Sequence, residues 1–321
     1  MKKKRILILL VQCICATGLS QGLSLQTLGQ PFKSPNLLVC WDAPTNVLPS
    51  TVWSYRLLPR TFSARAISNL VAACGLSEDD ESISNADAVV FKNADKNPTR
   101  FLGISSSRGA IYYQSVNNYG PTNLAKDVPA MGEMPKLTTN FLSEFGINTA
   151  DIEKRTNGTP RFRFWEPSTE YFVSNEIITN IEFRAVNFRR SVDGANVLGA
   201  GTAGNGQIEF GPHGRPVGID LTWPNLERHK SFRTVTTETI IRWIREGKAV
   251  QGGIALNLPD IDWMTAKRLT VKKAEICYYA GNHLSPSLWL MPLVSLWTTV
   301  DTGNGMVNVE IDCPITDETK Q

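Results

Sequence analysis

Apolar side chains recur every three to four positions in a few stretches of this chain and every second position in many more. Ile67, Leu70, Val71 and Cys74 fall on one helical face, which predicts a first helix over residues 62–76. Ser63 can cap it, Phe62 can staple against Ile67, and Gly75 suits a left-handed ending. The same ending returns 71 residues later. Asn69-Leu70-Val71-Ala72-Ala73-Cys74-Gly75-Leu76 aligns without gaps with Asn140-Phe141-Leu142-Ser143-Glu144-Phe145-Gly146-Ile147. Strands are predicted after the first copy at 88–91, 101–105 and 110–116, and after the second at 161–165, 171–173 and 177–188. Such a unit buries one helix stripe against one face of an antiparallel meander.

Turn chemistry supports the second meander. Asp193-Gly194, Asn205-Gly206 and His213-Gly214 each sit between apolar stretches, as tight hairpins require. Val217, Ile219, Leu221 and Trp223 alternate with smaller or polar residues, which predicts a half-buried strand. A third helix is predicted over 236–246, capped by Thr236 and ended by Gly247, and tail strands at 269–279, 288–300 and 306–311. Gly252-Gly253 and the Pro259 region read as a linker, and residues 23–52 as an extended entry segment. The expected fold class is therefore α+β, with tandem modules of one helix packed on a curved antiparallel sheet. The expected divisions are a leader at 1–22, a first module at 23–125, a second at 126–232, and a C-terminal helix with strands at 233–321.

The N-terminus has a composition of its own. Lys2, Lys3, Lys4 and Arg5 precede an almost purely apolar run from Ile6 to Cys15, followed by Ala16, Thr17 and Gly18. That order of charge, apolar core and small residues is a secretory leader, and the core is too short to span a bilayer comfortably. Export to the periplasm or medium is expected, with no membrane span after cleavage. The 321 residues are 42% hydrophobic and 20% charged, with a net charge of +3. This excludes collagen-like and wholly disordered chains, and a charge this small does not point to nucleic acid. Loss of the leader leaves four cysteines: Cys40, Cys74, Cys277 and Cys313. They permit two disulfides in three connectivities, or buried free thiols, and their spacings of 34, 203 and 36 match no zinc pattern.

Familiar catalytic spellings do not survive their context. Gly199-Ala200-Gly201-Thr202-Ala203-Gly204 spells a dinucleotide loop, but it leads into a strand rather than a helix. Asp301-Thr302-Gly303 spells an aspartic-protease triplet, but it has no second copy and reads as a hairpin turn. His213, His229 and His283 are too far apart for a helical metal pair. No catalytic residue, metal or cofactor is expected. Arg161, Arg163, Trp165 and Arg184 gather guanidinium and aromatic groups on predicted strands, as a groove for a peptide or acidic partner would, or as the solvated face of a sheet would.

Arg190-Ser191-Val192-Asp193-Gly194-Ala195-Asn196-Val197-Leu198-Gly199 resembles the R-x-V-D-G-x-x-V-x-G run of PepSY-like and related cystatin-like modules. The stretch from Leu269 to Tyr279, followed by Leu290-Met291-Pro292-Leu293, is similar to the last module of that group. The group includes propeptide domains of secreted peptidases and extracytoplasmic YycH/YycI-type regulators of sensor kinases. The resemblance implies helix-on-sheet modules that bind or restrain another protein. The leading expectation is an exported, non-enzymatic binding or regulatory protein of the cell envelope that holds a protein or peptide on a sheet face or edge. The alternatives are a secreted hydrolase using a carboxylate pair among Glu166, Glu170, Asp220 and Glu227, and a structural envelope subunit.

Overall fold

The computed structural model describes residues 30–44, 48–85, 87–93, 98–117, 119–199, 203–252, 261–281 and 286–316. The expected leader and the Pro259 linker lie outside them. The first strands are β1 (Gln30–Pro31), β2 (Leu38–Trp41) and β3 (Thr51–Leu58). Helix α1 (Ala64–Ala73) precedes β4 (Glu81–Ser84), β5 (Ala88–Asn93), β6 (Thr99–Ser105) and β7 (Ala110–Val116). Helix α2 (Met134–Glu144) precedes β8 (Arg163–Trp165), β9 (Ser168–Val173), β10 (Glu176–Ile181) and β11 (Arg184–Arg189). Then come β12 (Ser191–Val192), β13 (Ala195–Leu198), β14 (Asn205–Phe210), β15 (Pro216–Thr222) and β16 (Asn225–Arg233). Helix α3 (Thr237–Glu246) leads to β17 (Val250–Gly252), β18 (Arg268–Gly281), β19 (Pro286–Asp301) and β20 (Met306–Pro314).

The expected fold class is corrected. Among the described residues strand accounts for 51% and helix for 17%, so the fold is sheet-dominated and not a series of one-helix cystatin-like or PepSY-like modules. Two features overturn the expectation. First, the meanders following α1 and α2 merge into one eight-stranded sheet, ordered β4-β5-β6-β7-β15-β14-β11-β8, and both helices contribute to its single core. Second, the entry segment is not merely extended: β1, β2 and β3 join a ten-stranded sheet with β16 and the tail strands. The sheets therefore do not follow divisions at residues 126 and 233.

The helix ends form as local chemistry dictates. Ser63 Oγ accepts from the Ala66 N–H at 3.1 Å. Gly75 and Gly146 adopt left-handed φ values of 66° and 64°. Leu76 N–H then reaches Val71 O at 2.9 Å, and Ile147 N–H reaches Leu142 O at 2.8 Å, closing the same motif twice. An arginine from elsewhere caps each end: Arg100 donates to Gly75 O at 3.2 Å, and Arg60 to Gly146 O at 2.6 Å. Asn69 and Glu144, from the two copies of the ending, bond to each other at 2.6 Å.

Leu70, Val71, Met134 and Leu142 pack from the helices onto Leu102, Ile111, Val186, Ile208 and Leu221 of the sheet. β7 and β15 join its halves, with Tyr113 opposite Ile219. Gly206 lies opposite Phe188, and a Cβ there would stand 2.2 Å from the Phe188 ring. Gly206→Ala is expected to cost about 2 kcal/mol through overpacking, read as a lower urea midpoint with an unchanged slope.

β12 and β13 leave the eight-stranded sheet between β11 and β14. β13 then runs parallel to β18 in the other sheet, with Val197 opposite Tyr278. The second core lies under α3, where Ile240, Trp243 and Ile244 meet Val271, Leu296 and Ile311. β18 and β19 form its long central hairpin, and Asp301, Thr302 and Gly303 belong to the turn leading into β20.

Candidate functional site

β8 is the outermost strand of the eight-stranded sheet, only three residues long and paired on one side with β11. Three of the four expected binding residues lie on it or just before it. Arg161 and Arg163 converge on the buried Glu153 carboxylate, at 2.7 Å and 3.4 Å. Arg163 is held below the usual guanidinium range by burial and then by the charge of Arg189. Arg184 turns away. It pairs with Glu166 and donates to the Val128 and Pro129 carbonyls, fastening the segment that enters α2. The arginines thus serve two separate local contacts, Arg161 and Arg163 sharing Glu153 and Arg184 holding Glu166 and the segment before α2. Trp165 remains 40% exposed, with its ring edge-on to Phe183 at 5.9 Å.

Beyond Trp165 the hairpin continues as β9 and β10, a two-stranded ribbon paired with no other strand among the described residues. Ser174 and Asn175 both have positive φ, 50° and 68°, the pattern of a type I′ turn matched to strand twist. Phe172 and Ile177 stand directly opposite each other and are 74% and 65% exposed. On the other face, the buried Asn180 Oδ1 accepts from Ala125 N–H at 2.9 Å and ties the ribbon to the body. Residues 164–183 contain four glutamates (Glu166, Glu170, Glu176 and Glu182) and no Lys, Arg or His. The strand spelling of this segment was readable, but its outward apolar pair was not, because alternation does not say which face is covered.

A second concave region lies between β3, the Asp193-Gly194 turn and β18. Its volume is about 460 Å³, and Val52, Trp53, Asn196, Glu275, Ile276 and Tyr278 contribute to its walls. Asp193 accepts from the Tyr55 hydroxyl and pairs with Arg228 at 3.0 Å. The Arg228 guanidinium lies 5.5 Å from the Trp53 ring centroid, and Tyr55 meets Tyr278 edge-on at 5.4 Å. Burial first, and the Asp193 hydrogen bond second, push the Tyr55 phenol up, and burial does the same to Tyr278. Both phenols are therefore donors at neutral pH, not nucleophiles.

The four carboxylates considered for hydrolysis are scattered. Glu166 is taken by Arg184, Glu170 lies on the ribbon, Asp220 on β15, and Glu227 on β16 of the other sheet. Of the dinucleotide-like spelling, residues 200–202 lie outside the described residues, and β13 and β14 flank it. His213 is 3.8 Å from Asp127, His229 packs on Trp289 with ring centroids 4.3 Å apart, and His283 lies outside the described residues. No group of three or more metal-ligating side chains occurs among the described residues. No helix among them is long and apolar enough to cross a membrane.

Of the two readings of the cysteines, the structure holds free thiols: Cys40, Cys74, Cys277 and Cys313 form no disulfide among the described residues. Cys74 lies in the helix-covered core of the eight-stranded sheet, and Cys313 in the core under α3. Cys277 faces Leu293 and Cys313 faces Val294, so these two point to opposite sides of one sheet. Burial pushes the Cys74, Cys277 and Cys313 thiols up, which keeps them protonated and inert.

No protein-family model matches the chain. No curated protein matches it either. Among solved structures, it is similar to an uncharacterized protein from Eubacterium rectale ATCC 33656, with a TM-score of 0.40 and 9% identity over 85% of each chain.

Proposed function

We propose that this chain is an exported, non-enzymatic binding or regulatory protein of the cell envelope. It holds a protein partner along the β8 edge and the acidic ribbon that continues it. The observation that carries the reading is the Phe172–Ile177 pair, two large apolar side chains left in water on one face of a ribbon that pairs with no other strand among the described residues. Covering them on a partner removes apolar surface from water, which is the main driving force of association. Glu170, Glu176 and Glu182, the glutamates of the hairpin not paired with an arginine, favour a basic rim on that partner and disfavour anionic lipid or nucleic acid. Trp165, exposed on the same hairpin, extends the apolar contact. The leader spelling at residues 2–18 supports export.

The test is affinity capture from an envelope extract with the wild type and with the Phe172→Ser/Ile177→Ser double variant. A stoichiometric partner is expected on the wild type, with recovery falling at least tenfold on the variant and melting temperature unchanged. Equal recovery of the same proteins by both chains would contradict the reading.

A further inference from the structure

α1 carries one charged residue, Arg65, whereas α3, of the same ten-residue length, carries four: Glu238, Arg242, Arg245 and Glu246. A helix face turned only to water is normally polar and charged. Here the exposed positions Ala64, Ser68 and Ala72 are small and recur every fourth residue. Ile67 and Val71 form a second row at the same spacing, with Val71 buried and Ile67 half-buried. Two such rows leave a furrow between them, and the matching row of another helix packs into a furrow of this kind.

Both rows line a groove of about 440 Å³ between α1 and β5, with Val89 and Phe91 on the sheet side and Leu76 beyond the helix end. Every residue that lines it is among the described ones. Its floor is apolar and its rim is acidic, because Glu78 and Glu81 also line it and both are exposed. Asp80 accepts from the Ser77 N–H at 2.9 Å and from the Ser77 hydroxyl at 3.0 Å, which fixes the turn that carries the two glutamates. Neither Glu78 nor Glu81 forms an ion pair among the described residues. Arg100, which lies against the same turn, is held on the Gly75 carbonyl. An apolar furrow with two free carboxylates at its rim is complementary to an apolar stripe flanked by cations.

We propose that this groove docks an amphipathic basic helix of a partner protein. The apolar stripe of that helix lies on Val71, Val89 and Phe91, and its Lys or Arg side chains meet Glu78 and Glu81. From Ala64 to Ala72 the groove runs about 12 Å at ~1.5 Å per residue, which matches apolar anchors at i, i+4 and i+7 of the docked helix. The groove flanks β4 and the acidic ribbon continues β8, the two ends of the eight-stranded sheet, so either site stands or falls without the other.

The test uses the full chain and a fluorescent 14-residue peptide, with leucine at helical spacing on one face and lysine and alanine elsewhere. Anisotropy titration is expected to show saturable binding. A peptide with glutamate in place of each lysine, and one with a central outward alanine replaced by proline, are each expected to bind at least tenfold more weakly. Ser68→Trp, which fills the furrow, and the Glu78→Lys/Glu81→Lys double variant are each expected to weaken binding at least tenfold with melting temperature unchanged. The Phe172→Ser/Ile177→Ser variant is expected to bind the peptide as the wild type does. No binding, equal binding of the lysine and glutamate peptides, or binding lost in the ribbon variant and kept in the groove variants would overturn the proposal.

Discussion

Asp312→Asn is expected to stabilise the protein by about 4 kcal/mol at pH 8 and by less than about 1 kcal/mol at pH 4. Asp312 is 2% exposed, between β17 and β19, and its Oδ1 has no hydrogen-bond partner. Gly252 makes room for it, since a Cβ there would lie 2.2 Å from Oδ2. Burial, and then the charge of Glu310, push the carboxyl up to about 7, against the favourable Ser295 hydrogen bond. The native state therefore holds a proton that the unfolded chain releases near pH 3.8. The sign follows: stability falls as pH rises from about 4 to about 7 and is level above that. Asparagine keeps the shape without the charge, so its advantage grows across the same window. Urea titrations of both proteins at pH 4 and pH 8 measure this. A difference that does not grow with pH would show that Asp312 is not a buried, strained carboxyl.

Trp223→Ala is expected to cost about 4 kcal/mol, while Trp223→Phe costs less than about 1.5 kcal/mol. Trp223 is fully buried where the chain passes from the end of β15 toward β16, so it sits at the crossing between the two sheets. Its backbone N–H bonds Gly109 O at 2.8 Å, and its ring packs on Phe188 with centroids 5.8 Å apart. The buried Arg190 guanidinium lies 5.1 Å from that ring and donates to Pro224 O at 2.6 Å. Burial lowers Arg190 to about 10, so it remains charged at neutral pH and depends on these contacts. Alanine leaves a cavity beside a buried cation. Phenylalanine keeps the ring and removes an indole N–H that has no acceptor. A small loss for alanine, or equal losses for the two variants, would exclude the junction role.

What was legible in the chain was local. Ser63, Thr236, Gly75, Gly146 and Gly247 announce helix ends because capping and left-handed turns depend on neighbouring residues alone, and all five adopt those roles. β16 was not legible: among its nine residues only Leu226 and Phe232 are apolar, so no alternation marks it. Sheet membership was equally hidden. The Asp193-Gly194 turn can be read from its dipeptide, but nothing in it says that β13 pairs with β18 rather than returning to β11. In β20, Glu310 and Asp312 alternate with Val309, Ile311 and Cys313 like the wet face of a strand, yet Asp312 is buried, because tertiary cover is not written in the period. The arginine cluster was visible as composition. Glu153, which neutralises two of its members, comes from before the strand and carried no signal.

The sharpest test of partner recognition by the ribbon is site-specific photocrosslinking of the protein in cells. A photoreactive phenylalanine replaces Phe172, Ile177 or, as a control, Met264, which is 73% exposed in the turn before β18. The same discrete adduct is expected from positions 172 and 177 and absent from position 264. No adduct at the ribbon positions, or an identical pattern at all three, would contradict recognition through the ribbon.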